Sequence, residues 1–355
     1  MEVEVGGAAK APNVQVLAAK IASDSTVEVP ERYIRPEIND EPMAEFVDLP
    51  VIDFNRLMDP ELSQEESLKL NHACEEWGFF QLVNHGMPEE LMKKVKEDTT
   101  EFFKLPVEEK EAYAQIPNNI EGYGSTFTLW EERKLDWGDM LFLVTRPQDQ
   151  KKMRFWPSHP LTFRDTIDKY CACLQEISCG LLQAMAKTLG LDSERFLDVM
   201  KCGIQSMRFN YYPPCPKAAD KVIGLSPHSD SDLLTLLLQV NDVHGLQIRK
   251  YGKWFIAKPI TGAFVVNVGD ILEILTNGRY KSNEHRALVH AETERISLAG
   301  FHSPSNDAIV GPLPELVKEQ GRVNYKTMTY SEYIMAYFSK QYGKSLLESA
   351  KIVEY

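Results

Sequence analysis

The sequence predicts an α+β fold, with helices in the first half and, in the second, short strands that close into a double-stranded β-helix, or jelly roll, flanked by those helices. Two observations carry this expectation. Before Cys202 the apolar residues recur at helical spacing, whereas beyond it they fall in short β-branched and aromatic runs broken by Pro, Gly and Asn. One of those runs, residues 233–240, is almost unbroken, as in a strand buried on both faces.

In chain order, the first residues mix Ala, Val, Glu and Pro, and Pro30, Pro36 and Pro42 exclude a long helix, so an arm partly ordered by packing is expected. Residues 49–54 read as a short strand. Residues 64–77 are helical in pattern and stop at Gly78, and residues 79–83 follow as a second strand. Pro88 stands at a helix start, with Leu91, Met92, Val95, Thr99, Phe102 and Phe103 at helical spacing behind it. A turn-rich passage covers 117–124. A long helix is expected over 163–189, with Ile167, Cys171, Leu174, Leu181 and Leu189 on one side and Gly190 as its stop. Strands are expected over 206–212, 233–240, 246–249, 254–257, 263–268 and 296–301, with a hairpin turn at Tyr251-Gly252-Lys253. A last helix is expected over 330–350. These textures divide the chain into an arm (1–46), a region of helices and short strands (47–155), a long helical segment (156–200), the jelly-roll domain (201–305) and a C-terminal helical segment (306–355).

With 355 residues the chain can bury a sizeable core. Its 39 basic and 52 acidic side chains give a formal charge of -13, a field that repels phosphate backbones and anionic membranes, so neither nucleic acid nor a membrane is an expected partner. Six cysteines form no CxxC pair and no apolar leader precedes them, which points to a reducing, cytoplasmic compartment.

The chemistry starts at Pro227-His228-Ser229-Asp230, where a histidine and an acid enter an apolar run. Burying such groups without partners is expensive. In a strand, residues two apart share a side, so His228 and Asp230 can aim at one point inside the barrel. A third ligand would complete the 2-His-1-carboxylate face that holds non-haem Fe(II) with positions left open. The candidates are His72, His85, His159, His244, His285, His290 and His302, and His285 follows the Asn277-Gly278 turn, from which the chain can return to the same barrel end. The competing assignment makes Asp230 a turn cap. Downstream, Arg295 and Ser297 are also two apart at a strand start, offering a planar fork and a hydroxyl to a carboxylate. The competing assignment there pairs Arg295 with Glu292 or Glu294.

Several motifs in one order resemble the plant soluble branch of the Fe(II)- and 2-oxoglutarate-dependent dioxygenases. They are Leu49-Pro50-Val51-Ile52-Asp53, the run from Glu76-Trp77-Gly78-Phe79-Phe80 to Asn84-His85-Gly86, Asn210-Tyr211-Tyr212-Pro213-Pro214-Cys215-Pro216, His228-Ser229-Asp230, Glu284-His285-Arg286 and Arg295-Ile296-Ser297. Val29-Pro30-Glu31-Arg32-Tyr33-Ile34 and Leu135-Asp136-Trp137-Gly138-Asp139 are similar to the subgroup of alkaloid O-demethylases, senescence-related and norcoclaurine-synthase-like proteins.

The resemblance implies that His228, Asp230 and His285 bind Fe(II), and that Arg295 and Ser297 hold the distal carboxylate of 2-oxoglutarate. It implies a hydroxyl from Tyr212 on that carboxylate, Asn210 near the chelating end, and Met140, Phe142, Arg208 and Phe301 around the substrate, with residues 122–129 overhanging them. Tyr211 is expected in the core and His85 in a structural turn. The implied cosubstrates are 2-oxoglutarate and O2, with ascorbate as reductant and a monomeric enzyme acting on a small molecule. Met140 stands where flavonoid-oxidising relatives tend to carry an aromatic residue, so a planar aromatic or indolic substrate other than a flavonoid is expected. Two other functions share parts of the pattern: an iron oxidase that takes electrons from ascorbate without 2-oxoglutarate, and a barrel that only binds a ligand. The latter predicts damage to the triad or the anion pair, and neither is visible.

Overall fold

The computed structural model describes residues 13–117, 119–125, 134–339 and 346–352. Two sheets organise it. The strands are β1 (Glu45–Val47), β2 (Val51–Asp53), β3 (Phe79–Val83), β4 (Gly122–Ser125), β5 (Asp139–Arg146), β6 (Ile204–Tyr212), β7 (Ile223–His228), β8 (Leu234–Gln239), β9 (Leu246–Lys250), β10 (Lys253–Ala257), β11 (Phe264–Val268), β12 (His285–Leu288) and β13 (Arg295–Ser303). The larger sheet has the order β2-β3-β11-β8-β13-β6-β5-β4 and the smaller β1-β10-β9-β12-β7. A cavity lies between them, walled by β6, β8, β11 and β13 on one side and β7, β9 and β12 on the other. This is the jelly roll expected.

The helices cover the outer face of the larger sheet. Phe163–Thr188 buries Ile167, Cys171, Leu174, Leu181 and Leu182 and ends as Gly190 turns to φ +70, with the Leu191 amide donating to the Ala186 carbonyl at 3.0 Å. Gly300 lets this helix approach β13, because a Cβ there would meet Leu174 Cδ1 at 2.7 Å. The Tyr251-Gly252 turn has φ of 51 and 77 at its two residues, the left-handed pair that a two-residue hairpin loop requires.

The structure adds one strand, and two expectations fall partly outside the described residues. β5 is not expected from the sequence, because Met140 to Val144 is an unbroken apolar run that does not separate a strand from a buried helix segment. Of the helix expected over 330–350, the described residues show Tyr330–Ser339 and Leu346–Ala350, and 340–345 lie outside them. The proposed overhang at 122–129 begins as β4, and its remainder lies outside the described residues.

The arm is built into the body. Asn13 caps the helix Val14–Ser23 by accepting from the Val16 amide, and the buried Asp139 accepts the Val14 and Gln15 amides at 3.0 and 2.9 Å. Tyr33 meets Trp137 edge-on at 5.2 Å in a second apolar cluster that includes Val14, Ala18 and Ile21.

Candidate active site

β7 and β12 pair antiparallel with His228 opposite His285, and their ring centroids lie 4.3 Å apart. The ladder is irregular. Its register shifts on both sides of Ala287, and β7 carries Pro227 there, which has no amide to donate.

The two imidazoles are oriented through their Nδ1 atoms. His228 Nδ1 lies 2.8 Å from the Ser226 carbonyl and His285 Nδ1 3.3 Å from that of Asn283. A carbonyl only accepts, so the protons belong on Nδ1 and each Nε2 presents a lone pair. Burial, and then His228, push His285 down to about 4 against the pull of Asp230, so it is neutral at pH 7.

Asp230 reaches the same point, although not by strand alternation as expected. β7 ends at His228, and Asp230 sits in the bend that follows. That bend is tied to the start of the short helix Asp270–Leu275 by the Asp270 amide donating to the Asp230 carbonyl (2.8 Å) and the Ile271 amide to that of Asp232 (3.1 Å). Asp230 Oδ2 accepts from Thr235 Oγ1 at 2.6 Å and Asn267 Nδ2 at 2.8 Å. Oδ1 is thereby aimed at the two Nε2 atoms, 3.5 Å from His228 and 3.6 Å from His285. Burial alone would raise the carboxyl's pKa, but His285 and His228, charged in acid where the carboxyl would titrate, and the Thr235 hydroxyl outweigh it, and Asp230 lies well below the usual carboxylate range. Three donor atoms therefore lie within 4.8 Å of one another, two imidazole nitrogens and one carboxylate oxygen, a set that suits a divalent first-row metal.

Across the cavity, Arg295 and Ser297 open β13 and are 2% and 1% exposed. Arg295 does not pair with Glu294, whose carboxylate accepts from the Tyr211 hydroxyl at 2.5 Å. Among the described residues no carboxylate forms an ion pair with Arg295, and its Nε has no hydrogen-bond partner. Its neighbours are the Tyr212 ring, 5.4 Å away, and the Tyr212 hydroxyl. Burial pulls the guanidinium below its ordinary value. A buried cation without a counterion costs on the order of several kcal/mol, so this pocket fits an anionic group. Asn210 Nδ2 donates to Ser297 Oγ at 3.3 Å, and Asn210, Tyr212 and Ser297 all line the cavity.

The expected substrate residues divide. Arg208 and Phe301 line the cavity. Phe142 does not, but its ring stacks on Phe301 at 6.4 Å. Met140 is not in the wall either; it pairs in register with Asn210 and is buried in the sheet. Tyr211 packs on Phe103, and His85 Nε2 lies 2.8 Å from the Gly262 carbonyl in its turn.

The sequence reading did not single out Thr235 and Asn267, though each is a polar residue inside an otherwise apolar strand, which is a signal. It also passed over two glycines. A Cβ on Gly224 would meet the Tyr212 ring at 2.6 Å, and one on Gly245 would meet Arg295 Cδ at 2.7 Å, so both make room for the anion pocket. Nothing in the local sequence marks them.

Comparison with known proteins now adds identity to geometry. Residues 49–159 match the model for the non-haem dioxygenase in morphine synthesis N-terminal region, and residues 203–304 that of the 2OG-Fe(II) oxygenase superfamily. The chain is 47% identical to S-norcoclaurine synthase 1 of Coptis japonica, covering 98% of both chains. It is 42% identical to oxoglutarate-dependent flavonoid 7-O-demethylase 1 of Ocimum basilicum, covering 98% of this chain and 93% of that one. The crystal structure of JOX2 in complex with 2OG, Fe and JA superposes with a TM-score of 0.87 at 37% identity, covering 97% of this chain and 99% of that one. With identity sustained over nearly the whole length and both models in order along it, this chain belongs to the plant 2-oxoglutarate- and Fe(II)-dependent dioxygenases of the 2OG-Fe(II) oxygenase superfamily.

Proposed function

We propose that this enzyme oxidises a C–H bond of a small, largely planar aromatic or indolic metabolite, by hydroxylation or by O-demethylation or desaturation that begins as hydroxylation. The observation that carries the reading is a three-donor cluster facing, across one cavity, a buried guanidinium that has no counterion among the described residues. In this reading His228, Asp230 and His285 hold Fe(II). Arg295 and Ser297 grip the distal carboxylate of 2-oxoglutarate, Tyr212 adds its hydroxyl, and Asn210 keeps Ser297 in place. Bound ferrous iron with 2-oxoglutarate supplies O2 activation coupled to decarboxylation, releasing succinate and CO2.

The chain's own groups bind, orient and exclude water. The Nδ1 contacts of both histidines fix their lone pairs, and Thr235 and Asn267 turn one Asp230 oxygen inward. Phe79, Leu237, Leu246 and Ala299 line the cavity and keep it apolar around these groups. Phe301, stacked on Phe142, offers an aromatic face to the substrate, with Arg208 beside it. The flavonoid demethylase among the relatives keeps aromatic O-demethylation within this reading. The reading includes ascorbate as reductant, a monomer, and a cytoplasmic enzyme without nucleic-acid partners. The charge of -13 supports the last point, and among the described residues no helix is long and apolar enough to cross a membrane.

The test is succinate release by purified enzyme with Fe(II), 2-oxoglutarate and ascorbate over a panel of plant phenolics, indoles and alkaloids. One of these classes is expected to stimulate it. Substrate oxidation that continues unchanged without 2-oxoglutarate would exclude the reading. Asn267→Ala is expected to weaken Fe(II) binding about tenfold by freeing the Asp230 carboxylate to rotate, as anaerobic equilibrium dialysis would measure.

A further inference from the structure

The segment between the first helix and β1 crosses the smaller sheet from one edge to the other. At the β7 edge the Arg35 amide donates to the Lys221 carbonyl at 2.7 Å, and the Arg35 guanidinium reaches Asp136 at 2.8 Å and Ser226 Oγ at 2.7 Å. In the middle, Glu41 accepts a two-pronged contact from Arg286 of β12, at 3.1 and 2.5 Å. At the far edge β1 adds in parallel to β10. Arg286 is held from other sides too, donating to Gln247 of β9 at 2.6 Å and lying 4.1 Å over the Trp254 ring.

One hydrogen bond of Arg35 and the ion pair of Glu41 land beside the candidate ligands. Ser226 is the residue whose carbonyl orients His228, and Arg286 directly follows His285 in β12. The β7–β12 ladder that sets these two histidines opposite each other is also the irregular one, with two register shifts within its short length. A bulged ladder holds its strands less firmly than a regular one. A brace tied to both strands compensates.

We propose that Arg35 and Glu41 are positioning residues: this strap ties β7 to β12 and sets the separation of the two imidazole donors. The inference rests on the assignment of His228, Asp230 and His285 as metal ligands. Neither residue lines the cavity, so each acts through the strand it grips.

The test titrates Co(II) alone into full-length protein, reading its visible absorption, with hydrogen exchange of β7 and β12 amides measured in parallel. Arg35→Ala and Glu41→Ala are each expected to weaken Co(II) binding about tenfold. Exchange should rise in β7 and β12 and stay unchanged in the Phe163–Thr188 helix. Glu31→Gln, which breaks another arm contact, that with Lys134 at 3.1 Å, should leave both readouts at the wild-type level. Should an alanine variant fail to fold, Glu41→Gln and Arg35→Lys carry the same comparison with the side-chain volume kept. Wild-type Co(II) affinity and exchange in folded variants would overturn the strap while leaving the metal site standing. A wild-type protein that binds no Co(II) would overturn both.

Discussion

Asp230→Ala is expected to abolish metal retention and turnover together while leaving the fold intact. The carboxylate is the only anion among the three donors, and it is buried with hydrogen bonds from Thr235 and Asn267. Without it a divalent cation would meet two imidazoles alone. The substitution also strips Thr235 and Asn267 of the acceptor they share, leaving a buried hydroxyl and amide unpaired at about 1–3 kcal/mol each. That loss is local, and circular dichroism should remain that of the parent. Asp230→Asn separates charge from shape, because the amide can still accept from one donor but carries no charge, and it too should retain little metal. Metal content after gel filtration and succinate release report both effects; parental turnover by purified Asp230→Ala would contradict the assignment.

Arg295→Ala should act on the cosubstrate rather than on the metal. A charge-assisted fork to a carboxylate is worth about 2 kcal/mol or more, which is about 30-fold in apparent affinity. The apparent KM for 2-oxoglutarate should rise by that factor or more, with Fe(II) binding preserved. Arg295→Lys restores the charge without the planar fork and should recover only part of the loss. Removing a buried cation that has no counterion among the described residues also relieves a desolvation cost, so the variant should melt no lower than the parent. An unchanged 2-oxoglutarate requirement would place the carboxylate elsewhere.

The two halves of the site differ in how far they could be read from the chain. Arg295 and Ser297 lie in one regular strand, and period-2 alternation alone predicts their common face. The same rule extends to Phe301, and on β6 it separates Tyr212, which lines the cavity, from Tyr211, which packs against Phe103. For His228 and Asp230 the rule reaches the right conclusion through the wrong backbone. The strand ends between them, and the carboxylate is aimed by Thr235 and Asn267 from neighbouring strands. Contacts of that kind depend on which strands become neighbours, which local pattern does not encode. The strap is the extreme case, since Glu41 and Arg286 are 245 residues apart and each alone reads as a surface charge. Gly224 and Gly245 are silent for a related reason: what a missing Cβ makes room for is visible only once Tyr212 and Arg295 are in place. β5 was hidden because Met140 to Val144 is an unbroken apolar run, a pattern that strands and buried helix segments share.

The most direct measurement is a crystal structure of the full-length enzyme grown anaerobically with Fe(II) and 2-oxoglutarate, with the metal located by its anomalous scattering at the iron edge. The account predicts one strong peak at bonding distance from His228 Nε2, Asp230 Oδ1 and His285 Nε2, with the far carboxylate of 2-oxoglutarate on the Arg295 guanidinium. A peak bonded to other residues, or one from which the His285 ring is turned away, would contradict it.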